Sequence, residues 1–140
     1  MSRETVNLKK LIFELLSGDA TLETLLGGAD KIRHSNPLQV SEYPCVVYSI
    51  ADEDEPYKPD VPTGIAKTII LIETFTNKTS SQVLDNIDDR IYTLLNGQRI
   101  SNPDILVYTT YRTARTGLFE PDIEAWHSVN TFEAVNVPKP

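Results

Sequence analysis

Ile65-Ala66-Lys67-Thr68-Ile69-Ile70-Leu71-Ile72-Glu73-Thr74-Phe75 is the stretch on which the fold turns. Its length and β-branched content read as a strand. Ile69, Leu71 and Phe75 point one way, and Ile70 and Ile72 the other, so both faces are apolar. Such a strand belongs in a sheet covered on both sides. Just downstream, Thr79-x-x-Gln82 matches a capping box. The helix it opens carries a buried stripe of Val83, Leu84, Ile87, Ile91, Leu94 and Leu95. Asp85, Asp88, Asp89 and Arg90 form its wet side, and Gly97 closes it. Upstream, Tyr43 to Ile50 is a second apolar strand, with Pro44 tolerable near its start.

The flanks fill in around this strand and helix. Leu8, Leu11, Ile12, Leu15 and Leu16 make one apolar stripe of an amphipathic helix that ends near Gly18. Asp19 caps a second short helix holding Leu22, Leu25 and Leu26, stopped by Gly27-Gly28. Lys31 to His34 is a candidate short edge strand, and Asn36-Pro37 marks a turn. After Asn102-Pro103, Ile105 to Arg115 reads as a strand. A turn around Gly117–Asp122 leads to a last strand, Trp126 to Val137. Strands in adjacent pairs separated by a helix indicate an α+β fold. The expectation is one domain over 1–140: a mainly antiparallel sheet of about four strands, with two or three helices packed on one face. One layer of helices leaves the second face of Ile65–Phe75 for a second copy of the chain to cover.

Between the two central strands lies Asp52-Glu53-Asp54-Glu55, followed by Pro56, Pro59 and Pro62. This composition predicts a long acidic loop at 51–63. Asp52 to Asp60 holds five acids and one lysine, a net of −4 against −7 for all 140 residues. The spacing does not suit a hard cation: no glycine falls between Asp52 and Pro62, and the EF-hand pattern is absent. Paired-carboxylate catalysis needs a pocket that holds two acids apart in pKa, and a loop is a poor place for one. Asp52, Glu53, Asp54, Glu55, Tyr57, Lys58 and Asp60 are instead a candidate contact surface.

Other chemistry is thinly represented. Cys45 lies in an apolar strand and reads as a small core residue, not as a nucleophile served by His34 or His127. A lone cysteine points to a reduced, cytosolic setting. Two histidines and one cysteine, widely spaced, make no zinc site. Gly27-Gly28 lacks the lysine of a P-loop. Tyr111 between Arg112 and Arg115, with Trp126 on the next strand, is too little for single-strand stacking; cross-strand pairing is the simpler role. The net charge of −7 argues against phosphate-binding partners and against anionic membranes. No run reaches the ~20 apolar residues of a membrane span, and 1–16 is too charged for a signal peptide. No catalytic, cofactor-binding or metal-binding residue is assigned.

The order of features carries one resemblance. An N-terminal amphipathic helix leads to Leu22-Glu23-Thr24-Leu25-Leu26-Gly27. A Pro-containing turn and the strand Tyr43-Pro44-Cys45-Val46-Val47 follow. Next come a hydrophobic strand, a capped helix, and a last strand with Trp126-His127-Ser128-Val129-Asn130-Thr131-Phe132. Over about residues 5 to 135 this resembles the tail-completion (tail-terminator) proteins of long-tailed bacteriophages. The resemblance implies a structural virion protein, not an enzyme. It would form a homohexameric ring at the head-proximal end of the tail, assembled in the host cytoplasm. Its partners would be the tail tube protein and a head-completion or connector protein, with DNA passing through unbound. The acidic loop would then face the lumen or a neighbouring ring, and a short flexible tail would occupy 138–140. The alternatives are a neck or head-completion ring protein and a small non-viral cytosolic adaptor.

Overall fold

The computed structural model describes residues 3–34, 43–54, 66–77, 81–103 and 105–138. Helix α1 (Arg3–Ser17) and helix α2 (Ala20–Leu26) are followed by a single 3-10 turn and strand β1 (Ile32–His34). Then come β2 (Cys45–Asp54), β3 (Ala66–Asn77), α3 (Ser81–Leu95), β4 (Ile100–Ser101), β5 (Ile105–Glu120) and β6 (Ala125–Pro138). The strands form one sheet in the order β1-β2-β3-β6-β5-β4. β1 runs parallel to β2, and every other neighbouring pair is antiparallel.

The fold class expected from the sequence is α+β with helices on one face, and that is the architecture found. The sheet differs in detail: it has six strands and is mixed, where about four antiparallel ones were expected. The additions are the two short edge strands. β1 was a candidate in the sequence, whereas β4 is only two residues long and too short to show any periodicity.

Ile70 and Ile72 of β3 lie on the helix-covered face with Val46, Tyr48, Phe132 and Ala134. They meet Leu8, Ile12 and Leu16 of α1, Leu22 and Leu26 of α2, and Ile87, Ile91 and Leu95 of α3 in one cluster. Val83, assigned to the α3 stripe, is exposed instead. The opposite face carries a smaller cluster of Cys45, Val47 and Phe75, closed by Tyr43 and Ile123. Ile69 and Leu71 on that face are half-buried.

Several chain stops behave as read. Gly27 adopts φ +85, in the left-handed region that favours glycine, and its N–H closes α2 onto Glu23 O at 2.8 Å. Asn102 turns the chain by accepting from Ile105 N at 3.0 Å. Thr79 lies outside the described residues, as do Asn36 and Pro37. Gly117 was expected to begin a turn, but it sits inside β5 opposite Ser128. The turn is at 121–124, with Glu124 at φ 50. A Cβ at Gly117 would meet the Arg115 guanidinium at 3.7 Å, an ordinary contact, so neither space nor backbone conformation requires glycine here. Pro138, placed in the tail, is the last residue of β6, opposite Ile105. A strand's end tolerates a residue that cannot donate.

Asp19, at the junction of α1 and α2, ties them to α3. Its carboxylate accepts from Leu22 N at 2.8 Å as the α2 N-cap. It also accepts from Arg90 Nε at 2.8 Å and Arg90 Nη2 at 2.6 Å, across from α3. The Arg90 hydrogen bond holds the Asp19 carboxyl below its ordinary value of 3.8. A depressed folded-state pKa means that the contribution is complete above the unfolded value of about 4 and is lost as pH falls through the folded one. Asp19→Ala should cost about 1–2 kcal/mol through the lost cap. Asp19→Asn keeps a capping oxygen and removes the charge. Its stability deficit by urea titration should be constant above about pH 5 and shrink below about pH 4; a deficit that does not change with pH would show that the Arg90 pair contributes nothing.

Candidate functional site

Two polar constellations and one acidic strand edge stand out from the apolar framework. The first is centred on Asp88, which is only 1% exposed. Asp88 was read as part of the wet side of α3. It faces inward because Leu84, Asp88, Ile91 and Leu95 follow one another at four, three and four residues, the spacing of a buried stripe. That spacing was the signal available in the sequence. One Asp88 oxygen accepts from Thr74 Oγ1 at 2.8 Å and from Asn130 Nδ2 at 3.0 Å. The other accepts from Arg115 Nε at 2.8 Å. Arg115 also reaches Asp85 at 2.7 Å, and Asn130 accepts from Arg112 Nη1 at 3.3 Å. Arg112 lies over the Tyr92 ring at 4.4 Å. Arg112 and Arg115 therefore turn toward α3 on the helix-covered face, whereas Tyr111 and Trp126 pair across strands as expected, with Glu133 and Phe119.

The second constellation lies on the opposite face. His127 stacks on Phe75 with ring centroids 4.2 Å apart and planes 8° from parallel. Tyr43 stacks on Phe75 in turn at 5.4 Å. One ring nitrogen of His127 is 2.5 Å from Glu120 Oε1, and the other is 3.1 Å from Glu73 Oε1. Further along β3 and β6, toward the other end of the sheet, Lys67 is 3.8 Å from Glu133. A hydrogen bond to Glu133 raises the Tyr111 hydroxyl above its ordinary 10.0. Sequence reasoning paired His127 with nothing, because its partners become neighbours only in the β3–β6 register that sets Phe75 opposite His127.

The acidic residues fall partly on a strand. β2 runs on through Asp54, so Asp52, Glu53 and Asp54 pair with Ile69, Thr68 and Lys67 of β3 after a bulge at Ala51. The loop expected over 51–63 is shortened accordingly. Acids are poor strand formers, but here the strand partner β3 is long and strongly apolar and carries Lys67 opposite Asp54. Glu55, Tyr57, Lys58 and Asp60 lie outside the described residues.

None of this assembles a reaction centre. Cys45 is fully buried in the smaller apolar cluster. His34 packs on Tyr48 at 5.3 Å, on the other face of the sheet from His127. Burial, and then Lys9, hold His34 below its ordinary 6.5. Among the described residues, no group of three or more His, Cys, Asp or Glu is placed to hold a metal ion. No helix among them is long and apolar enough to cross a membrane. The polar clusters act as fasteners between layers and strands.

The fold is similar to that of a chain of the virion of a native gene transfer agent (GTA) particle. The two share a TM-score of 0.76 over 99% of this chain and 100% of that one, at 16% sequence identity. At this identity the likeness is one of fold. No protein-family model matches the chain, and no curated protein matches it in sequence.

Proposed function

We propose that this chain is a structural component of a phage-type virion, and within it a tail-completion protein. In this reading six copies form a ring on the head-proximal end of the tail tube, end its polymerisation and present a surface to the head connector. The observation that carries the reading is the end-to-end likeness to a GTA virion chain. The order of sequence features points to the same class, and the buried cysteine and fastener-like polar clusters fit structural work. Asp52, Glu53, Asp54, Glu55, Tyr57, Lys58 and Asp60 are the proposed contact or lumen segment, with DNA passing through without specific binding.

Electron micrographs of the purified chain mixed with tail tubes of its own particle test this. Capped tubes of uniform length are the expected result, and neutralising Asp52, Glu53, Asp54 and Glu55 together should reduce capping while leaving the thermal transition in place. Rings that bind heads but not tube ends would make it a neck or head-completion protein. A monomer under every condition would favour the adaptor reading.

A further inference from the structure

Among the described residues, the sheet has two stretches of unpaired edge, on opposite sides. β4 pairs only with Leu106 and Val107 of β5. Beyond β4, Gly97 N donates to Thr110 O at 2.6 Å, and Arg112 N donates to Asn96 Oδ1 at 2.8 Å. From Thr113 to Glu120, β5 has β6 on one side and no strand on the other among the described residues. At the far edge, β1 pairs only with Val46 to Tyr48 of β2. From Ser49 to Asp54, β2 has β3 on one side and no strand on the other among the described residues.

A raw edge of eight residues is normally blunted by proline, lysine or a cover. Thr113–Glu120 has no proline or lysine, and its one arginine is drawn away to Asp85 and Asp88. Leu118 and Phe119 beside it are exposed by 45% and 38%. This is a strand waiting for a partner.

We propose that the partner is the Ser49–Asp54 edge of a second copy of this chain. The proposal rests on the ring reading above and names the surfaces that would join its subunits. Three observations support it. The first is direction: β2 and β6 run one way and β3 and β5 the other, so continuing the sheet into a like-oriented copy sets β2 antiparallel to β5. Second, the charge pattern discriminates. Asp52, Glu53 and Asp54 oppose pairing of two β2 edges with each other, because like charges across a ladder repel, but do not oppose an edge without acids until Glu120. Third, the stagger fits. Across the sheet Asp52 shares a row with Tyr111, and Ile50 shares one with Arg112. The middle of the free β5 edge lies about five residues further on, ~16 Å at the rise of a strand. Four strands are ~19 Å wide. Joining the two edges therefore slopes the strands by about 40°, the tilt that closed sheets adopt. Because the two edges are different surfaces, the contact is head-to-tail and repeats until it closes.

Cysteine pairing reads this directly. A ladder in this register sets Asp52 opposite Thr116 of the next copy. Asp52→Cys with Thr116→Cys in one chain should give, under mild oxidation, a ladder of covalent oligomers up to the ring. The two single variants mixed should give dimers only, and the parent, with Cys45 buried, none. Hydrogen exchange on the unmodified protein supplies a second reading: amides of 113–120 and 49–54 should be protected at least tenfold in rings relative to monomer. Rings by native mass spectrometry without cross-links or protection would overturn the edge pairing and leave the ring reading standing. Self-linked dimers of Thr116→Cys alone would overturn it in favour of back-to-back pairing. Monomers throughout, with no capped tubes, would remove both readings together.

Discussion

Asp88→Ala is expected to lower stability by about 3 kcal/mol or more, because it breaks a buried charge pair from one side. The carboxylate is 1% exposed and accepts from Thr74, Asn130 and Arg115. Its removal strands the buried Thr74 hydroxyl and leaves the Asn130 amide only its 3.4 Å bond to Ile72 O, with no water to replace the lost acceptor. Arg115 fares better, since it keeps Asp85 and is partly exposed. Asp88→Asn preserves shape and an acceptor oxygen and should cost roughly half as much. A shift in melting temperature of roughly 10 °C is the readout for Asp88→Ala in a domain of this size. Arg115→Met should cost less in the Asp88→Ala background than alone, which a double-mutant cycle measures. Additive effects would show that the pair is not coupled.

Phe132→Ala is the second large effect, at about 3–5 kcal/mol. Phe132 heads the fully buried side chains by volume and has no exposed surface. It stands on β6 between Ile70 of β3 and Arg112 of β5, on the face that α1, α2 and α3 cover. Neighbours from two strands and the helix layer are fixed by their own backbones, so the space left behind closes only partly. Urea unfolding should show a lower midpoint with an unchanged slope. Phe132→Leu should recover most of the loss. A cost below about 1 kcal/mol for the alanine variant would mean that this site collapses freely, contrary to close packing.

The two variants also show where the chain was legible. Phe132 and its neighbours announced themselves, because alternation in β6 and the run Ile69–Ile72 are local signals. The helix layer, the caps at Asp19 and Gly27 and the turn at Asn102 were legible for the same reason: each is written within four residues. Asp88 was misplaced because side-chain type was read ahead of spacing. Its partners come from β3, β5 and β6, and no local pattern announces a carboxylate that three distant segments satisfy. The acidic stretch went the other way. Its composition resists a strand, but a long apolar partner draws Asp52–Asp54 into the ladder, a tertiary effect that propensity does not contain. Gly117 was taken for a turn because glycine often ends strands, yet here it continues the ladder opposite Ser128. The edges of β2 and β5 were invisible because edge position depends on strand order, which no single segment encodes.

β6 is made last of the six strands, yet it occupies an inner position, between β3 and β5. Before it arrives, β1-β2-β3 and β4-β5 are two separate half-sheets with no shared ladder. During translation, then, β3 and β5 each lack a neighbour until Ala125 onward has left the ribosome. The last strand works as a keystone: the ribosome finishes the arch before the arch bears load, and a chain cut short offers two open flanks to whatever strand it meets first.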